Sequence, residues 1–149
     1  MDLATRERMQ SMARETMDWM MSSVRSCGWA PILVFGSHVV VSKGGGYDKW
    51  PALDIPMHFM GGVAIAYFLW GALSRPELPG IFSPHPIGMR LLAAFGWVGI
   101  SAVLWELAEW SADTLGLAQA QANLGDTMLD MFLGLLGGGV YLALVCCRK

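Results

Sequence analysis

Four apolar stretches, each near the length that crosses a bilayer, leave this chain little freedom of fold. They run from about Val24 to Val41, Ile55 to Leu73, Ile87 to Trp110 and Met128 to Cys147. A helix needs roughly 20 predominantly apolar residues to cross the hydrocarbon core, with about 17 as the short limit. The predicted fold is therefore an all-α membrane protein, a four-transmembrane-helix antiparallel bundle. Composition agrees: of 149 residues, 54% are apolar and 15% charged, where a soluble domain carries about a quarter charged. The first stretch is the shortest, and Pro31, Gly36 and His38 interrupt it. Arginines precede it, yet no small-x-small cleavage pattern follows before Lys43, so it reads as a retained helix rather than a signal peptide.

Ahead of the first span, Met9, Met12, Ala13, Met17, Met20, Met21 and Val24 recur at helical spacing, with Arg6, Arg8, Arg14 and Glu15 on other faces. This pattern predicts an amphipathic arm over residues 1–23 lying at the membrane surface. Residues 24–149 then form the transmembrane domain. The short connections make consecutive spans antiparallel neighbours. Arg6, Arg8, Arg14, Arg25, Arg75, Arg90, Arg148 and Lys149 fall on one side of such a bundle, and only Lys43 and Lys49 on the other. The positive-inside rule puts both termini in the cytoplasm. The loops Ser42 to Asp54 and Ser111 to Asp126 then face outward, with Trp50, Trp105 and Trp110 suited to an interfacial aromatic belt.

The chemistry-bearing residues follow from that topology. His38 lies near the end of the first span, and Asp54 and His58 begin the second. Glu106 and Glu109 sit in the last turns of the third, and Asp126 and Asp130 begin the fourth. In an antiparallel bundle all of them arrive at the external face. The spacings Asp54/His58 and Asp126/Asp130 are i, i+4, and Glu106/Glu109 is i, i+3, so each pair shares a helix face. Metal sites in helix bundles are assembled from such inward-facing carboxylate and imidazole groups. An ionised side chain deep in a span costs about 2.5 to 3.5 kcal/mol on insertion scales, so such residues mark function by default. Grouped carboxylates need a counter-charge, supplied by a cation or by protons.

Each residue also has a bland reading. Asp54 and Asp126 stand where helix caps stand, Asp113 reads as solvated, Glu109 as interfacial, and His38 or His58 as a hydrogen-bonded core histidine. Taken jointly, His38, Asp54, His58, Glu106, Glu109, Asp126 and Asp130 form a candidate metal set, with Glu106 or Glu109 as general base. Mixed carboxylate and imidazole ligation suits zinc, manganese or ferrous iron better than calcium. Elsewhere the motifs are quiet. Gly44, Gly45 and Gly46 lack a following GK[ST], and the glycines from Gly134 to Gly139 suit close helix packing. Cys27, Cys146 and Cys147 have no disulfide or CxxC spacing. His85, between two prolines, reads as an exposed loop residue. No basic-aromatic nucleic-acid pattern occurs.

The segments DIPMHF from Asp54 to Phe59, WELAE from Trp105 to Glu109, and GDTMLDMFLGLLG from Gly125 to Gly137 resemble the YjdF-like family of bacterial inner-membrane proteins. The three motifs keep their order and rough spacing, and the likeness covers residues 38–149. The chain departs in carrying Leu33 and Val34 where the family often has a further His-Glu pair ahead of His38. The resemblance implies membrane location and the grouping of these residues, and implies no reaction. Three functions compete on the sequence: a metal-dependent membrane hydrolase, a proton- or cation-coupled transport component acting as a homo-oligomer, and a non-catalytic scaffold. The lipid bilayer is the one partner that all three share.

Overall fold

The computed structural model describes residues 2–79, 86–121 and 123–147, so the expectations for His85, Arg148 and Lys149 lie outside the described residues. Among the described residues the chain is all-helical: α1 (Leu3–Cys27), α2 (Trp29–Lys43), the single turn α3 (Gly46–Lys49), a 3-10 turn (Pro51–Leu53), α4 (Asp54–Leu73), α5 (Ile87–Thr114) and α6 (Leu124–Cys147).

Three helical stretches, Pro51–Leu73, Ile87–Thr114 and Leu124–Cys147, are long and apolar enough to cross a membrane. The count becomes four if α1 and α2, which meet at a bend of 57°, make one broken span. The bend differs from the continuous helix expected over residues 24–41, and Pro31 gives the reason. Its missing N–H cannot donate to the carbonyl of Cys27 four residues back, and its ring crowds that carbonyl. The hydrogen-bond ladder therefore restarts at Gly28, whose N–H ends α1 on Val24 and whose carbonyl accepts from Ile32. Alone, the 15 residues of α2 span only about 22 Å, short of the roughly 30 Å hydrocarbon core.

Among the described residues the most extensive helix contact is α4 against α6, and glycine makes their close approach possible. A Cβ on Gly62 would overlap the carbonyl of Gly134, and one on Gly137 would overlap the carbonyl of Phe59. Small residues let backbones approach, so dispersion and interhelical polar contacts act at short range where lipid offers no hydrophobic drive. Below this contact Ala66, Trp70, Ala94, Val98 and Leu142 form the buried core. Large apolar side chains such as Ile32, Leu92 and Leu144 point outward, the inverse of a soluble protein and the expected dress of a lipid-facing surface.

The arm is held at the opposite end of α4. Trp19 Nε1 donates to the Ala72 carbonyl at 2.8 Å, and Arg75 donates to Ser22 Oγ at 2.7 Å. The methionines at 9, 12, 17, 20 and 21 stay exposed on α1. Trp50 and Trp110 are exposed near the other end, as a belt requires, whereas Trp105 is half-buried.

A candidate metal centre around His58

The start of α4, the end of α5 and the start of α6 meet, so α4 and α6 run in one direction and α5 in the other. His58 is the hub. Its Nε2 lies 3.3 Å from Asp54 Oδ1, one turn earlier on α4, and 3.9 Å from Asp130 Oδ1 on α6. Its Nδ1 lies 3.8 Å from Glu106 Oε1 on α5. Among the described residues, His58 is the sole basic ion-pair partner of Asp54, Glu106 and Asp130.

Two sets of three ligand atoms result, Asp54/His58/Asp130 and His58/Glu106/Glu109, each with its atoms within 4.8 Å of one another. Asp130 and Glu106 are each only 5% exposed. Glu106 is held from the outside: Gln121 Nε2 donates to its carbonyl at 3.1 Å and to Oε2 at 3.3 Å. Its other oxygen, Oε1, is buried and has no hydrogen-bond partner among the described residues. A buried, unpartnered carboxylate oxygen is expensive, and this one faces the histidine. Glu109 is half-buried and accepts from Trp105 Nε1 at 2.9 Å.

The loop that positions Gln121 is built by a glycine and an aspartate. Helix α5 ends in a Schellman turn: Gly116 adopts φ +70°, and Leu117 N–H reaches back to the Ala112 carbonyl. Asp113 then accepts from Ala120 N–H at 2.8 Å and Gln121 N–H at 2.9 Å. The expectation that Asp113 is solvated is corrected: its carboxylate folds the loop back over α5. Asp54, read as a possible cap, does not serve as one. Leu53 precedes α4 without a side-chain cap bond, and Asp54 points instead at His58. At α6 it is Asn123 Oδ1 that accepts from the N–H groups of Gly125 and Asp126.

Asp126 sits one turn above Asp130 and joins neither three-ligand set. His38 also stays outside both. Its Nδ1 pairs with Tyr47 Oη at 2.9 Å, and its ring stands edge-on to Trp105 with centroids 4.8 Å apart. Burial pushes the Tyr47 phenol up to about 12, with the charges of Asp54 and Glu109 adding to the effect. It therefore stays neutral at any physiological pH. Sequence reasoning missed Tyr47, Gln121 and the role of Trp105. The i, i+4 spacing of Trp105 and Glu109 is the one local signal that pointed to any of them.

Beside the cluster lies a cavity of about 250 Å³ between α2, α4, α5 and α6. Its walls are mostly apolar, and His38, His58 and Asp130 stand among its lining residues.

Residues 14–149 match the family described as Predicted membrane protein (DUF2238). The chain belongs to this family. The three motifs that resembled the YjdF-like family thus sit within DUF2238, and the chain is a multi-pass membrane protein in a lipid bilayer. An uncharacterized protein of Thermotoga maritima is 36% identical over 97 residues, covering 61% of this chain and 46% of that protein. The chain thus spans less than half the length of this relative. No solved structure matches it.

Proposed function

We propose that this protein is a divalent-metal site in a bacterial inner membrane, serving hydrolysis of a membrane-embedded or external substrate. The observation that carries the reading is the environment of His58, with two carboxylates at one nitrogen and, facing the other, a buried carboxylate oxygen of Glu106 that has no hydrogen-bond partner among the described residues. A metal-ligating histidine characteristically gives its second ring N–H to a carboxylate, which fixes its tautomer and orientation. Asp54, His58 Nε2 and Asp130 would hold the ion, and Glu106 would receive Nδ1–H. The carboxylate and imidazole donors suit zinc, manganese or ferrous iron.

Three protein ligands leave a coordination position for water, as catalytic zinc sites do. The ion would acidify that water and polarise a carbonyl. Glu109, in ligand range of both His58 and Glu106, is the candidate base to take the proton. A purely structural role fits less well, because a network kept for helix registry gains nothing from an unsatisfied buried oxygen.

The topology we propose has four spans, with α1 and α2 meeting at the bend, and both termini in the cytoplasm. The distribution of arginine supports it. Arg25, Arg75 and Arg90 lie toward the end of the bundle remote from His58, and α1 would lie along that inner surface with its methionines in the headgroup region. The site then faces outward. The test is elemental analysis of protein purified gently in detergent. One zinc, manganese or iron per chain, and a thermal shift when that metal is restored, are expected. No stoichiometric metal together with no metal-induced shift would end the hydrolase reading.

A further inference from the structure

The cavity beside His58 has the form of a ligand site in its own right. It extends along α4 from His58 to Ile65, a rise of roughly 10 Å or about two-thirds of one leaflet's hydrocarbon depth. Apart from His38, His58, Ser101 and Asp130, its lining is apolar. Apolar walls do not hold water well, and inside a bilayer the material at hand to fill them is hydrocarbon. Glycine opens the space: a Cβ on Gly61, a lining residue, would meet nothing within 4 Å.

The polar end narrows the occupant. Asp54, Glu106 and Asp130 meet there with His58 as their sole basic ion-pair partner among the described residues. Even a bound divalent cation would leave this end with an excess of negative charge, so an anionic head group is repelled. We propose that the cavity receives one acyl chain whose uncharged, ester-type head lies at His58 and Asp130. This deepens the metal-site reading, which supplies the head group's position, while the chain's position rests on the cavity alone.

The test uses the full chain in detergent and a monoacylglycerol carrying a photoactivatable diazirine in its chain, with crosslinked peptides mapped by mass spectrometry. Labelling is expected on the α4 and α5 lining, near Met57 and Ala102. Gly61→Leu adds a branched side chain at a lining position whose Cβ has open space around it. Excluding even two methylenes lowers affinity about tenfold, and labelling should fall accordingly. Gly36→Leu, equally unobstructed at its Cβ and outside the cavity lining, should label as the parent does. A free fatty acid of the same chain length should compete far less well than unlabelled monoacylglycerol. Labelling that is unchanged in Gly61→Leu, or spread over the whole lipid-facing surface, overturns the proposal. Equal competition by the fatty acid overturns the head-group assignment. Metal content is read on the same samples. Cavity labelling without metal sinks the metal reading and the head-group position drawn from it while the acyl-chain assignment stands, and metal without cavity labelling sinks this proposal alone.

Discussion

Replacing Glu106 by glutamine separates a metal-site carboxylate from a structural one. The substitution preserves volume and leaves the side-chain oxygen able to accept from Gln121, now 3.3 Å from Oε2. What changes is the other end. An amide nitrogen would face His58 Nδ1, 3.8 Å away, and two donors would then oppose each other whenever Nδ1 carries the proton. Loss of such an outer-shell partner costs 10- to 100-fold in metal affinity, about 1.4 to 2.7 kcal/mol. The metal-free protein responds the other way. Glu106 is 5% exposed with one oxygen unpartnered, and an ionised carboxylate there carries a desolvation penalty of several kcal/mol that glutamine lacks. The metal-free variant should therefore melt at the same temperature as the parent or higher. Titration calorimetry with zinc or manganese, paired with thermal unfolding with and without chelator, reads both quantities. Unchanged metal affinity with a lowered metal-free melting point would refute the assignment and make Glu106 a structural residue.

Three further outcomes follow from the same geometry. Gly62→Ala drives a methyl group into the Gly134 carbonyl and should destabilise the protein by about 1 to 3 kcal/mol, read as a lower midpoint on unfolding in detergent. Metal affinity should fall on acidification, because carboxylate and imidazole ligands must be deprotonated to bind; affinity that is flat between neutral and mildly acid pH would speak against these ligands. Gln121→Ala frees the loop from Glu106 and should weaken metal binding severalfold while leaving the α4–α6 contact intact, whereas a global loss of stability with unchanged metal affinity would make Gln121 a loop anchor only.

Much of this arrangement was legible in the sequence because it depends on periodicity. The three later spans follow from long apolar runs, and the grouping of Asp54, His58, Glu106, Glu109 and Asp130 follows from where those runs begin and end. The bend at Gly28 was less visible: Pro31 is a recognisable interruption, but whether a chain kinks or restarts depends on which carbonyl loses its donor. The hub role of His58 depends on the rotation of α4 about its axis, which the contact through Gly62 and Gly137 sets. Gln121 was invisible because its position arises from a loop folded back by Asp113, a long-range event with no periodic signature. Asp113 itself looked like an ordinary solvated aspartate, since nothing local distinguishes a side chain that caps a returning loop from one that faces water. The cavity is the space left by four helices, and no run of residues encodes it.

The most direct test of the metal centre is an experimental structure of the gently purified protein with diffraction data collected at the absorption edges of zinc, manganese and iron. The account predicts one anomalous peak within about 2.0 to 2.2 Å of His58 Nε2 and of a carboxylate oxygen from each of Asp54 and Asp130. A protein shown to be metal-free with the cluster intact, or a peak bound elsewhere, would contradict it.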